Sequence, residues 1–147
     1  MVLVNSALID VTKYGTARRL SDRLSIQVAG KTGTSDDLRD SWFAGFSADV
    51  MAVVWTGYDD NRPTTLTGSS GAMKIWGNLF KEVAYKSYQV PEMPGLVRSL
   101  VNPKDGLLTE KACENAVELL FIEGSQPQQT SDCAGGSSSN WFLNLFN

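Results

Sequence analysis

Histidine is absent from the 147-residue sequence, and this absence excludes several kinds of catalytic and metal site. Ser-His-Asp and Cys-His nucleophile pairs, His-Glu-x-x-His sites and most zinc sites all require that side chain. With only two cysteines, a four-cysteine metal site is excluded as well. We therefore expect no metal and no cofactor. Chemistry must depend on hydroxyl, amino, guanidinium, carboxylate or backbone groups.

Charge and hydropathy argue against two further classes of protein. The formal net charge is −3, which does not provide the basic surface of a nucleic-acid-binding protein. Apolar runs such as Met51 to Trp55 fall far short of the roughly 18 residues that a membrane-spanning helix requires. Nucleic acid is therefore not expected as a partner, and no segment of this sequence is expected to cross a bilayer.

The apolar periodicity predicts an α+β organisation. Residues 2–24 are typical of two helical pieces separated at Gly15, and a second helix is expected from a cap at Ser69 or Ser70 to about Tyr88. Three strands are predicted between these helices, at residues 26–34, 41–46 and 50–58. The last two strands are apolar on both faces, which predicts a sheet that is covered on both sides.

Composition divides the chain into segments 1–90, 91–123 and 124–147. The prolines and glycine within Pro91 to Gly95 end the preceding helix. Strands at 96–101 and 116–122 flank a turn and predict a small β appendage over 91–123. Residues 124–140 are polar and of low complexity, so we expect a disordered tail. For the apolar stretch Trp141 to Phe146, docking on a partner or membrane surface and a disordered end both stay open.

The tetrapeptide Lys31-Thr32-Gly33-Thr34 follows the first strand segment and is the strongest functional signal. Alternation along an extended strand places Thr32 and Thr34 on one face, where two hydroxyls can hold a terminal carboxylate. Gly33 allows a substrate backbone to approach closely, and Lys31 brings a positive charge to the same pocket. The pattern predicts an open strand edge that pairs with a peptide and binds its carboxylate.

Two other interpretations of this tetrapeptide are weaker. A plain edge strand that ends in a glycine turn would need no ligand. Gly30, Lys31 and Thr32 also match the end of a phosphate-binding loop, but the first glycine of that pattern would fall at Ser25. Residues 26–29 are strand-like rather than glycine-rich, and Gly33 would disrupt the helix that has to follow such a loop.

Five blocks stand in a fixed order around this motif: Gly15-Thr16-Ala17-Arg18, Ala29 to Ser35, Asp40 to Gly45, Val53 to Pro63 and Thr67 to Ala72. In this order they resemble the transpeptidase domain of the class A penicillin-binding proteins. The resemblance covers residues 2–90 well and continues more loosely through Gly106-Leu107-Leu108 to residues 121–127. The tail is most similar to the 1B type. The resemblance identifies the chain as the C-terminal part of such a domain.

The resemblance implies a penicillin-binding, serine β-lactamase-like fold of antiparallel strands flanked by helices. Members of the family are bifunctional peptidoglycan synthases at the periplasmic face of the bacterial inner membrane. One domain polymerises glycan chains, and the other cross-links stem peptides through a serine acyl-enzyme with release of D-Ala. By this resemblance Lys31, Thr32, Gly33 and Thr34 bind the donor carboxylate, with Lys31 as the third-motif catalytic lysine. Stem peptides and β-lactams are the implied ligands.

The nucleophile of that family is missing from this sequence. No serine is followed three residues later by a lysine. The chain also begins within an apolar helical face at Met1 to Val4, which we expect of a chain that continues upstream. The segment is therefore expected to be inactive alone and to need the N-terminal portion of the same polypeptide. The alternative is a non-catalytic module that binds cell-wall peptide or an envelope partner protein.

Cysteines and aromatic residues complete the expectations. The resemblance implies a disulfide between Cys113 and Cys133 in an oxidising envelope compartment, with two unrelated thiols as the alternative. Trp42, Phe43, Trp55 and Trp76 lie on strand and helix patterns, and we expect them in the core rather than on a carbohydrate platform. The carboxylates Asp36, Asp37 and Asp40 are expected to form a solvated loop rather than a cation site.

Overall fold

The structure is a computed structural model that describes residues 1–109, 113 and 116–132. Its elements follow the predicted order of helix, three strands, helix and two strands. They are α1 (Val2–Lys13), β1 (Ala29–Thr34), β2 (Ser41–Phe46), β3 (Met51–Thr56), α2 (Ala72–Val83), β4 (Leu96–Val101) and β5 (Val117–Ile122). Single 3₁₀ turns stand at Arg18–Leu20 and Asp36–Leu38.

Strands β1, β2 and β3 form an antiparallel sheet, as predicted, and the structure gives their order in it as β1-β2-β3. The β2–β3 hairpin is closed by buried Ser47, whose hydroxyl accepts the backbone N–H of Val50 and donates to the carboxylate of Asp49. In the β1–β2 register, Thr32 faces Phe43 and Thr34 faces Ser41. Because directly opposed residues point to the same side of a sheet, the two threonines share a face with Phe43 and Ser41.

Phe43, Trp76 and Phe80 form the centre of the core on that face. All three are almost fully buried; the Trp76 ring stacks on Phe80 and meets Phe43 edge-to-face at a centroid distance of 4.9 Å. Gly30 and Gly45 lie beside these rings, where a side chain would have no room. A Cβ on Gly45 would lie 2.8 Å from the Trp76 ring, and one on Gly30 would lie 2.7 Å from the Phe43 ring. Aromatic packing at this density contributes several kcal/mol, on the order of the 3–5 that truncation of such a side chain costs.

Helix α2 is shorter than predicted and has a different cap. It ends at Val83 because Ala84 is extended. Beyond it, the carbonyl of Lys86 accepts the N–H of Ala48 and the N–H of Tyr88 donates to the carbonyl of Gln27 instead of continuing the helix. Ser69 and Ser70 do not cap it; the N–H of Ala72 is bonded by the side chain of Ser41 from strand β2. The predicted helical piece after Gly15 is only the short turn Arg18–Leu20.

Among the described residues one face of the sheet is open to solvent, which contradicts the prediction that both faces are covered. Helix α2 packs on strands β2 and β3. On the other side Trp42 and Trp55 remain 44% and 45% exposed, with ring centroids 6.1 Å apart, and Trp55 Nε1 donates to Asp40. Of the four aromatics expected in the core, Phe43 and Trp76 are buried and these two are not.

The described residues group into two compact units. Residues 8–89 form the unit that contains the three-stranded sheet. Residues 1–7 and the described residues from 90 onward form the other. The two strands predicted there are present as β4 and β5, and they pair antiparallel. The finer division at 90 and 123 stays a prediction.

Residues 129–131 bond to the connection between β4 and β5, within the segment that composition predicted to be disordered. Thr130 bridges Leu108, and buried Ser131 donates to Asp105 and accepts from Asn102. These polar groups have partners within the unit, so the segment is held despite its low apolar content. Residues 133–147, including the Trp141 to Phe146 stretch, lie outside the described residues.

Candidate active site

Strand β1 is an edge strand, and it carries the whole Lys-Thr-Gly-Thr motif from Lys31 to Thr34. Its inner edge pairs with β2, and no strand pairs with its outer edge in the part of the chain that the structure describes. Lys31, Thr32 and Gly33 are half-buried and Thr34 is exposed. The motif therefore has the open flank that strand pairing with a peptide requires. The same residues are extended rather than looped, which contradicts the phosphate-loop interpretation.

The ammonium group of Lys31 lies along β1 itself. Its Nζ atom is 3.1 Å from the carbonyl oxygen of Thr32 and 3.5 Å from the Thr32 hydroxyl. The four-carbon stem thus brings the positive charge beside the first of the two motif hydroxyls. This is the proximity that a carboxylate-binding pocket needs.

Each motif hydroxyl has one fixed hydrogen-bond partner from another segment. Thr32 Oγ1 lies 2.8 Å from the hydroxyl of Thr16, in the turn that follows α1. Thr34 Oγ1 accepts the backbone N–H of Gly68 at 2.9 Å, from the loop that leads into α2. The two hydroxyls are held by two different segments, and neither contact could be seen in the motif alone.

The loop before α2 packs directly on the backbone of β1. A Cβ on Gly68 would lie 2.6 Å from the Gly33 oxygen and 2.8 Å from the Trp42 oxygen. Only glycine permits that approach, because backbone atoms cannot rotate away as a side-chain end can. Ser41 holds the far end of the loop, donating to the carbonyl of Thr67 at 2.8 Å and accepting the N–H of Ala72 at 2.9 Å.

Sequence reasoning found the four motif residues and missed Thr16, Gly68 and Ser41. All three belong to sequence blocks that carry the family resemblance, so the resemblance could have singled them out. It could not assign a hydrogen-bond role to any of them, because their partners are 16 to 34 residues away in the sequence.

Other predicted features have mixed outcomes. Cys113 is disulfide-bonded, and since Cys133 lies outside the described residues their pairing stays a prediction. Asp40 is bonded to Ser35 and Trp55, and among the residues described no cluster of three acidic, Cys or His side chains could hold a metal ion. No helix among the described residues is long and apolar enough to span a membrane.

A cavity of about 430 Å³ lies in the unit that contains β4 and β5. Its lining includes Pro91, Met93, Arg98 and Leu120, and β1 contributes nothing to it. The motif residues Lys31 to Thr34 are not part of this cavity.

The chain is similar in sequence to several known proteins. No family model matches the chain. It is 40% identical over 126 residues to penicillin-binding protein 1A of Aquifex aeolicus, covering 82% of the chain and 17% of the relative. It is 34% identical over 147 residues to penicillin-binding protein 1B of Vibrio cholerae, covering 98% of the chain and 18% of the relative. Penicillin-binding protein 1B of Escherichia coli is 38% identical over 142 residues, covering 90% of the chain and 16% of the relative.

The fold leads to the same group of proteins. The crystal structure of penicillin-binding protein 1A from Haemophilus influenzae superposes with a TM-score of 0.70 and 26% identity, over 86% of this chain and 20% of that one. The α+β fold is thus that of a fragment of a penicillin-binding transpeptidase region. The chain is a homologue of the class A penicillin-binding proteins 1A and 1B and fits their C-terminal part. It spans less than a fifth of the length of the three relatives named above.

Proposed function

We propose that the chain supplies the carboxylate-binding strand of a serine D,D-transpeptidase domain in a peptidoglycan synthase. The observation that supports this is the open edge of β1, where the Lys31 ammonium lies beside the Thr32 hydroxyl and Thr32 and Thr34 share one face. A stem peptide that ends in D-Ala offers a backbone to pair with the edge and a carboxylate for these donors. β-Lactams present the same carboxylate, so they are the second class of ligand.

The nucleophile of this reaction belongs to a segment with a Ser-x-x-Lys motif, which this sequence does not contain. That serine attacks the carbonyl of the penultimate D-Ala and forms an ester, and the terminal D-Ala leaves with a proton on its amine. The amine of a second stem peptide then displaces the serine and completes the cross-link. In this scheme β1 orients the donor, and Lys31 adds positive charge where negative charge develops. The site of action is the periplasmic face of the inner membrane.

The test is a chimera in which this chain replaces the matching segment of Vibrio cholerae penicillin-binding protein 1B. Fluorescent penicillin should label the chimera covalently and should not label the 147-residue chain by itself. Lys31→Ala should slow labelling about 10- to 100-fold, as expected when a charged hydrogen-bond donor is removed. Lys81→Ala, an exposed lysine of α2, is the matched control and should leave labelling unchanged.

A protease-resistant chimera that takes up no label would refute the proposal. It would favour the alternative, a non-catalytic module that binds wall peptide or an envelope partner. Equal effects of the two lysine substitutions would show that charge at β1 has no special role.

A further inference from the structure

We propose that Thr16 is a positioning residue for the carboxylate site: its hydroxyl donates to Thr32 and thereby directs the Thr32 hydrogen toward the substrate. The inference rests on the proposed function of β1 and deepens it by adding a residue outside the Lys-Thr-Gly-Thr motif. The two hydroxyl oxygens are 2.8 Å apart, a full hydrogen bond, and both side chains are half-buried.

The direction of this bond follows from counting hydrogens. The Thr32 hydroxyl has one hydrogen and two acceptor lone pairs. Its neighbour Lys31 carries an ammonium group, which can only donate, and a substrate carboxylate can only accept. Thr32 can therefore donate to a carboxylate only if it does not donate to Thr16. Thr16 must then be the donor of the 2.8 Å bond when substrate is present.

The second motif hydroxyl is oriented in the same way by a group that cannot reverse. Thr34 accepts from the backbone N–H of Gly68, so its own hydrogen is available to a ligand. Thr32 and Thr34 are two residues apart, about 7 Å along an extended strand. A carboxylate that accepts two O–H···O bonds of about 2.7 Å can bridge that span. Thr16 thus orients the Thr32 hydroxyl in the way that the Gly68 N–H orients the Thr34 hydroxyl.

Hydrogen bonds hold the turn that carries Thr16 both before and after this residue in the sequence. Ala17 is fully buried, and its N–H bonds to the carbonyl of Val11. One turn earlier, buried Thr12 donates its hydroxyl to the carbonyl of Val28, just before β1. The Thr16 hydroxyl is therefore held at a set distance from β1 by backbone that does not depend on the Thr16 side chain.

The test compares Thr16→Val with Thr16→Ser in the Vibrio cholerae chimera, using penicillin and its methyl ester. The ester has no carboxylate for Thr32 to bind. With penicillin, Thr16→Val should raise the dissociation constant of the pre-acylation complex about tenfold and leave the limiting acylation rate nearly unchanged. With the ester, the effect should be less than about twofold. Thr16→Ser, which keeps the hydroxyl, should restore binding to within about threefold of the parent.

Two controls separate positioning from structure. Thr12→Val removes a hydroxyl with a purely structural partner and should affect penicillin and its ester equally. In a Thr32→Val background, Thr16→Val should have no further effect on penicillin binding, because the coupled hydroxyl is gone. Thr16→Ala provides a second truncation should the valine variant fold poorly.

Failure of this inference and failure of the proposed function would give different results. Equal losses for penicillin and ester, or no loss with Thr16→Val, would overturn the role of Thr16 while the function of β1 stands. A parent chimera that does not acylate would refute the proposed function itself, and this inference with it.

Discussion

Ser41→Ala should destabilise the three-stranded unit far more than an ordinary serine substitution. Ser41 is fully buried, and its hydroxyl makes two bonds, to the carbonyl of Thr67 and from the N–H of Ala72. Each bond is worth about 0.5–1.5 kcal/mol, and the substitution leaves a buried N–H without a partner. Loss of a helix cap of this kind costs about 1 kcal/mol in other proteins. The bond to the Ala72 N–H is itself that cap, so the two bonds together predict a loss of about 1–3 kcal/mol.

The assay is pulse proteolysis in urea of the chain fused to a soluble carrier, in which the surviving intact band reports the folded fraction. With a denaturant slope of about 2 kcal/mol/M, the midpoint of Ser41→Ala should fall by about 1 M. The matched control is Ser69→Ala, which removes the hydroxyl that sequence alone favoured as the cap. Within the described part of the chain, the Ser69 hydroxyl bonds only to the exposed Thr67 hydroxyl, so the loss should stay within about 0.5 kcal/mol. Equal shifts for the two variants, or a larger shift for Ser69→Ala, would refute the capping role of Ser41.

Three further predictions address charge, space and oxidation. The Ser47 hydroxyl holds the pKa of Asp49 below its ordinary 3.8, so the stability it contributes is present above that pH and is lost as pH falls through the folded value. The difference in urea unfolding midpoint between the parent and Asp49→Asn should therefore be constant above about pH 4 and should shrink below it. A difference that persists to pH 2 would contradict this prediction. Gly68→Ala should slow penicillin acylation of the chimera at least tenfold. The added Cβ would lie under 3 Å from backbone atoms and would displace the loop that bonds the Thr34 hydroxyl. An unchanged acylation rate would show that this loop does not position the site. Non-reducing mass spectrometry after periplasmic expression should find Cys113 linked to Cys133, whereas two free thiols would exclude the bridge.

The exposed Trp42 and Trp55 illustrate a limit of pattern reading. Strands β2 and β3 are apolar on both faces, which is typical of a sheet with cover on each side. In this chain α2 covers one face, and the pair of tryptophans lies on the other, exposed and with the Trp55 N–H bonded to Asp40. The pattern indicates that a face is suited to burial. It does not indicate which segment covers that face, or whether this chain contains it.

Sequence by itself determined the order of elements, the extended state of Lys31 to Thr34 and the shared face of the two motif threonines. These properties follow from alternation and periodicity between neighbours, so a short window of residues contains the information. Tertiary structure alone decided that Thr16 bonds Thr32, that Gly68 bonds Thr34 and that Ser41 caps α2. Each of these bonds joins residues far apart in the chain, and its existence depends on strand register and loop path. A hydroxyl has no preference for any one of many distant donors until the folded backbone brings one of them within 3 Å.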